Sequence, residues 1–372
     1  MLNFIIWNVS PELFSIGRFE PRWYGPLFAL GFFVGQYILT KIYKIEGRPQ
    51  KEVETLTIYM VLATIIGARL GHCLFYEPDY FLAHPLEILF IWQGGLASHG
   101  AGIAILFSIW LYCRNNPGQH FLYVMDRIAI TVALAACFIR LGNLTNSEIV
   151  GIPANVPQAF VFVNPTASYL EELDNLAPEF KTKITNVKII GTGKDTTLFG
   201  KYVTSIELKM RVKNFENKSI MEVAKSSIRQ AIFYYNTNKI GEYNSENSNI
   251  ILSEAPGSYI IGDENKNGTE VTIKAWGIPR HPAQLYESIS SLALFMVLLF
   301  VYSRFKEKTP EGLLFGIFMV WIFTLRFFYE YIKENQVAFE NDMSLNMGQL
   351  LSIPMVIIGL AVLVRSLVLK KN

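Results

Sequence analysis

The chain has 372 residues, of which 51% are hydrophobic, 14% aromatic and 17% charged, and its formal net charge is +2. So few charges with a positive mean hydropathy exclude an ordinary soluble or disordered chain. A net charge this close to zero is too small to suggest a nucleic-acid partner.

In chain order, the first segment, MLNFIIWNVSPELF, has no basic n-region and no small-residue cleavage site. It reads as an amphipathic segment on a membrane surface. Stretches long and apolar enough to span a bilayer follow at about 22–44, 55–76, 87–113, 122–142, 283–304, 311–332 and 347–368. Between the fourth and fifth, residues 164–275 are polar throughout. Within them SIELKMRVKNF alternates like a strand, SIMEVAKSSIRQAIFYY has helical spacing, and NIILSEAP and TEVTIKAW read as further strands. Lys41, Lys44, Arg48 and Lys51 follow the first span, Arg114 the third, and Arg304, Lys306 and Lys308 the fifth, while Arg365, Lys370 and Lys371 end the chain. The positive-inside rule then places the N-terminus outside. The expected fold is an all-α integral membrane protein of about seven transmembrane helices, N-terminus outside and C-terminus cytoplasmic, with a small α+β extracytoplasmic insertion. The expected division is 1–163, 164–275 and 276–372. Cys73, Cys113 and Cys137 have neither metal-ligand nor disulfide spacing and read as buried thiols, so no metal or cofactor is expected.

Polar groups inside spans are expensive and mark function more often than in soluble cores. With this orientation Tyr24, Arg69, Arg140, Asn143, Arg326 and Glu330 fall in the outer half of their spans and His99 near the middle of the third, so five spans contribute to a layer that points to a polar cavity open to the outside. Plainer readings stand beside that one. Arg326 and Glu330 share a helix face and could be a structural ion pair. The glycines of GARLGH and WQGGLASHGAG suit close helix approach, and a lone buried histidine is usually a hydrogen-bonded core group. Two intramembrane arginines with fewer buried acids nonetheless suggest an anionic ligand, because the guanidinium fork suits phosphate. At outer depth that ligand is a phospholipid head group. The rival is a transporter for an anionic solute, which would also need polar groups at inner depth. Only Asp126 and Arg127 stand there.

The segments RWYG (22–25), GARLGHCLFY (67–76), WQGGLASHGAG (92–102), RLGNLTNSEIVG (140–151), RHPAQLYE (280–287), LRFFYEYIKENQ (325–336) and MGQLLSIP (347–354) occur in the order found in the bacterial prolipoprotein diacylglyceryl transferases, which the chain resembles. The resemblance implies transfer of an sn-1,2-diacylglyceryl group from phosphatidylglycerol to the lipobox cysteine of a preprolipoprotein, forming a thioether and releasing glycerol phosphate. It implies that Arg140 binds the phosphate, that Arg326 stabilises the leaving phosphate, that His99 takes the thiol proton, and that Tyr24 is catalytically important. Asn143, Glu148, Gly151 and Glu330 would shape the head-group site, with Arg69 also binding substrate. It further implies a monomer in the cytoplasmic (inner) membrane, its site toward the outer leaflet, with phosphatidylglycerol, preprolipoprotein signal peptides and membrane lipids as partners and no cofactor. The chain departs from the family pattern at Ile139, Leu144, Thr145, Ile322 and Lys333, the last replacing an arginine.

Overall fold

A computed structural model describes residues 4–14, 16, 20–91, 95, 97–176, 181–198, 200–214, 219–232, 249–253, 255–266, 268–334, 340 and 343–369. Sequence expectations on residues 1–3, 92–94, 96, 233–235, 335–336 and 370–371 lie outside the described residues. Among the described residues six helices are long and apolar enough to cross a membrane: Tyr24–Ile45, Gln50–Phe75, Phe121–Thr145, Ala283–Lys308, Leu313–Ile332 and Met347–Val368. Phe33, Ile58, Leu62, Ile289, Phe300 and Ile357 are exposed on them, a surface that lipid covers and water does not. The expected third span, at 87–113, is not among these six. The stretch proposed at 87–113 breaks because Pro85–Leu89 is a 3₁₀ turn and Gly95 sits at φ +69°, so its helix begins only at Ser98. That helix, Ser98–Asn115, carries His99, Arg114 and Asn115 near its ends.

The helices are numbered α1 Tyr24–Ile45, α2 Gln50–Phe75, α3 Pro78–Ala83, α4 Ser98–Asn115, α5 Phe121–Thr145, α6 Asn164–Glu171, α7 Leu173–Leu176, α8 Ile220–Val223, α9 Ala283–Phe305, α10 Leu313–Tyr329 and α11 Met347–Leu369. The strands are β1 Ile5–Trp7, β2 Phe160–Phe162, β3 Thr182–Leu198, β4 Lys201–Asn214, β5 Ile250–Leu252, β6 Tyr259–Asn265 and β7 Gly268–Gly277. The chain forms two compact units, one of Met1–Leu27, Ile139–Ser288 and Arg326–Leu351, the other of Phe28–Phe138, Ile289–Leu325 and Ser352–Asn372.

The second unit is a helical core. Leu39, Tyr43, Leu56, Ile109, Tyr112, Val124, Ile128, Leu294, Leu298 and Leu314 meet inside it. Helices α2 and α4 pack backbone to backbone: a Cβ on Gly100 would stand 2.3 Å from the Gly67 carbonyl oxygen and 2.6 Å from the Gly71 Cα. Close approach is therefore what these glycines do. The inner-depth charges Asp126 and Arg127 are structural pins. Asp126 accepts from Gly312 N at 2.7 Å and Phe315 N at 2.8 Å, which satisfies donors at the start of α10. Arg127 donates through Nη2 (2.8 Å) and Nε (3.2 Å) to Glu46 Oε1, while its guanidinium covers the Tyr123 ring at 3.9 Å and the Tyr123 hydroxyl donates to Glu46. With both partners committed inside the protein, these charges do not mark a solute path.

The first unit holds the polar insertion. Its antiparallel sheet runs β3-β4-β7-β5, with β6 also pairing with β7. The alternation read in SIELKMRVKNF is real: Val203, Ile206, Leu208, Met210 and Val212 of β4 are buried, as are Val271, Ile273 and Ala275 of β7. α8 starts on an N-cap, with Ser219 Oγ accepting from Glu222 N at 3.2 Å. At the N-terminus residues 5–7 form strand β1, pairing in parallel with β2 as Ile5↔Phe160 through Trp7↔Phe162, and Phe4 enters the sheet's core, while Ile5, Val9, Leu13 and Phe14 stay exposed. Three apolar residues in a row do not distinguish a strand from a membrane-facing turn until a partner strand exists. Trp7 then donates from Nε1 to the Leu144 carbonyl at 3.0 Å, satisfying an acceptor at the end of α5.

Two ion pairs should respond to truncation by very different amounts. Glu46 is 2% exposed, so Glu46→Ala strands the buried Arg127 and should cost about 3–5 kcal/mol in detergent-solubilised unfolding. Lys183, 51% exposed beside Asp174, should cost about 1 kcal/mol or less as Lys183→Ala. Equal effects would refute the assignment of Glu46 as a pin.

Candidate active site

The site is framed by backbone. Three extended segments, 150–153, 280–281 and 332–334, are laced together. Gly151 N donates to the His281 carbonyl (3.0 Å), His281 N to that of Ile152 (3.1 Å), and Ile152 N to that of Ile332 (3.0 Å). Gly151 is the crossing point. A Cβ there would meet His281 O at 2.5 Å and Ile332 O at 2.7 Å, so no other residue fits without moving backbone. Arg280, fully buried, locks the frame by donating from Nη1 to the Gly151 carbonyl at 3.1 Å and by pairing with Glu334. Just before the frame, Ser147 and Ile149 hold φ of 54° and 58°. For a β-branched residue this is a strained conformation, and it lies in the loop that presents Glu148.

Onto this frame the end of α5 projects Arg140 and Asn143. Arg140 Nη1 donates to Asn143 Oδ1 at 3.3 Å, and Asn143 Nδ2 to Glu148 Oε1 at 2.8 Å. Asn146 Nδ2 reaches the same Glu148 oxygen at 3.2 Å, and Gln284 Nε2 takes the Glu148 carbonyl at 2.5 Å. Tyr24, opening α1, lies over Gly142: a Cβ on that glycine would be 2.8 Å from Tyr24 Cδ2. From the other side come α10 and the turn after it. Arg326 Nε stands 3.9 Å from Glu330 Oε1, and this Nε is buried without a hydrogen-bond partner, although 42% of the side chain is exposed. Glu330 packs against Gly348 and accepts from Asn346 Nδ2 at 3.2 Å. Lys333 Nζ joins the halves, at 3.2 Å from Glu330 Oε1 and 2.5 Å from Glu287 Oε1, while Glu287 Oε2 is 2.5 Å from Arg140 Nε.

The structure thus brings Tyr24, Arg140, Asn143, Glu148, Gly151, Arg326 and Glu330 into one unit. Arg69 and His99 belong to the other. Arg69 is 4% exposed and its donors go to backbone carbonyls: Nε to Ile88 (2.9 Å), Nη2 to Glu87 (2.6 Å) and Nη1 to Gly95 (3.4 Å), with the guanidinium over the Phe81 ring at 4.9 Å. His99, in the first turn of α4, is exposed, its ring between Phe75 (5.5 Å) and Tyr76 (5.6 Å).

Sequence reading missed Glu287, Lys333, Arg280 and His281 as parts of the site, although all four lie in quoted motifs. The signal available was that RHPAQLYE puts a carboxylate four residues into an apolar helix, where it must be paired. Its presence changes the charge count. Arg140, Arg326 and Lys333 are matched by Glu148, Glu287 and Glu330, so attraction for an anion comes from outward guanidinium edges rather than from surplus charge. His281 sits at the frame with Nδ1 3.3 Å from the Tyr286 hydroxyl, and burial pushes its pKa below the ordinary 6.5, leaving a neutral ring at pH 7. Among the described residues no group of three or more His, Cys, Asp or Glu could hold a metal ion. The arrangement can bind a phosphate through two forks and withdraw charge from it.

A family profile described as prolipoprotein diacylglyceryl transferase matches residues 11–365. A protein of Chloroherpeton thalassium named phosphatidylglycerol–prolipoprotein diacylglyceryl transferase is 33% identical over 98% of this chain and 95% of its own. Similarly named proteins of Tolumonas auensis, over 97% of both chains, and Bacteroides fragilis, over 97% of this chain and 94% of its own, are also 33% identical. With the match running through the frame, the charged cluster and the insertion alike, the chain belongs to the prolipoprotein diacylglyceryl transferase family.

Proposed function

We propose that this protein transfers the sn-1,2-diacylglyceryl group from phosphatidylglycerol to the lipobox cysteine thiol of preprolipoproteins, the first step of bacterial lipoprotein maturation. The family match supports the reaction. The observation that carries the site assignment is the pair of arginines, each held on one edge by a carboxylate while 25% of the Arg140 side chain and 42% of that of Arg326 stay exposed.

The chemistry follows from the bonds exchanged. A cysteine thiol has an ordinary pKa near 8.5, so a base is needed to raise the thiolate fraction at neutral pH. His99 takes that proton. The thiolate attacks the glycerol carbon that bears the phosphate, the carbon–sulfur bond forms, and the carbon–oxygen bond breaks. The electron pair leaves with glycerol phosphate, and the thiol proton ends on the base or on that phosphate. Negative charge grows on the phosphate as the bond breaks. Arg140 holds it in the ground state, and the exposed outer edge of the Arg326 guanidinium meets it as it develops. Tyr24, Asn143, Glu148, Gly151 and Glu330 shape the head-group site. Arg69, donating to the carbonyls of Glu87, Ile88 and Gly95, braces those residues rather than touching the head group.

The protein is read as a multi-pass protein of the bacterial inner membrane, with α4 as a seventh span, the N-terminus and the 164–275 insertion outside and the C-terminus cytoplasmic. The basic residues after the first, third and fifth spans support that orientation. The parts 1–163, 164–275 and 276–372 form spans one to four, the insertion, and spans five to seven of a monomer whose site opens to the outer leaflet.

Purified protein with phosphatidylglycerol and a lipobox peptide should release glycerol phosphate and form the thioether together. Arg140→Ala should lower kcat/KM about 10²–10³-fold, the usual loss of one transition-state donor, and a normal rate would remove its phosphate role. Gly151→Ala should abolish activity, since its methyl meets two carbonyl oxygens. Arg69→Lys should lower the unfolding temperature while KM for phosphatidylglycerol stays unchanged. A raised KM with unchanged stability would return Arg69 to the substrate site.

A further inference from the structure

We propose that Glu287 is a positioning residue of the transfer reaction, setting the pose in which Arg140 offers its guanidinium end to the lipid phosphate. The inference rests on the transferase reading above.

Glu287 lies in the second turn of α9 with its side chain 8% exposed, and each carboxylate oxygen takes a different cation from a different element. Oε2 meets Arg140 Nε at 2.5 Å and Oε1 meets Lys333 Nζ at 2.5 Å. A guanidinium can grip phosphate side-on, through Nε and one Nη, or end-on, through both Nη. The carboxylate occupies the Nε side, so the side-on grip is closed and the end-on grip remains. Asn143 fixes the rotation by accepting from Nη1 at 3.3 Å. The same carboxylate runs on through Lys333 to Glu330 and thence to Arg326. Arg140, Glu287, Lys333, Glu330 and Arg326 therefore form one line of alternating charge that ends in an arginine at each side. Glu287 is the member that touches the α5 arginine. Without it, Arg140 can turn its Nε side to the ligand and Lys333 falls back on Glu330 alone.

The test is a kinetic cycle on the full-length enzyme in detergent, with phosphatidylglycerol and a lipobox peptide. Glu287→Gln keeps the shape and removes the charge. It should raise KM for phosphatidylglycerol about ten- to a hundredfold, the loss of one charge-assisted contact, with a smaller fall in kcat and KM for the peptide unchanged. In an Arg140→Lys background, where no Nε side exists to be held, the same change should cost only about threefold or less. Glu287→Asp, which retracts the charge by one carbon, should move KM the same way by less, and it decides the matter should the glutamine variant fail to fold. An unchanged KM, or a loss that simply multiplies with that of Arg140→Lys, would overturn the proposal. If wild-type protein released no glycerol phosphate, the transferase reading would fail separately. The inference would then be read from the rise in unfolding temperature that phosphatidylglycerol micelles give the wild type, which Glu287→Gln must lose.

Discussion

A guanidinium among apolar helices must be paired on one edge before the other edge can be offered to a ligand. The alternating line from Arg140 through Glu287, Lys333 and Glu330 to Arg326 meets that constraint. Burying a single charge costs several kcal/mol, and stranding one member of a buried pair costs about 3–5 kcal/mol. The carboxylates are therefore not competitors for the phosphate. They are what allows two arginines to stand at the site at all, and they aim each guanidinium outward. A site with surplus positive charge would hold any anion, whereas paired forks favour a ligand with phosphate geometry.

The backbone exists to hold that line in register. Arg140 rides on the end of α5, Glu287 on the start of α9, and Lys333 on the segment beyond α10. These three meet because 150–153, 280–281 and 332–334 are zipped together at Gly151 and clamped by Arg280. The positive φ values at Ser147 and Ile149 lie in the same stretch. Strain there is tolerated because the Trp7–Leu144 bond on one side and the zipper on the other fix both ends of the turn.

Much of this was readable before any coordinates. Hydropathy found the helices because each needs about 20 apolar residues, and period-two alternation found β4 and β7 because one face of each is buried. The cost of charge in lipid singled out Arg140 and Arg326. What failed did so for physical reasons. Helix length is blind to a glycine at positive φ, so the third span was begun too early, ahead of Gly95. A parallel pairing across residues 5–7 and 160–162 leaves no local trace, so β1 is not visible in the sequence. Arg69 looked like its RLG counterpart Arg140, but carbonyls satisfy one and a carboxylate with an open edge the other, and only coordinates tell those apart. Glu287 leaves little mark in the sequence because the two cations it balances, Arg140 and Lys333, come from other elements.

The central claim is that the outward edges of Arg140 and Arg326 are where the phosphate sits. An experimental structure of the protein with phosphatidylglycerol in lipid nanodiscs tests it most directly. The account predicts phosphate oxygens within hydrogen-bond distance of both guanidinium groups, with Glu287 still seated on Arg140 Nε. A phosphate bound elsewhere, or one that displaces Glu287 from that nitrogen, would contradict it.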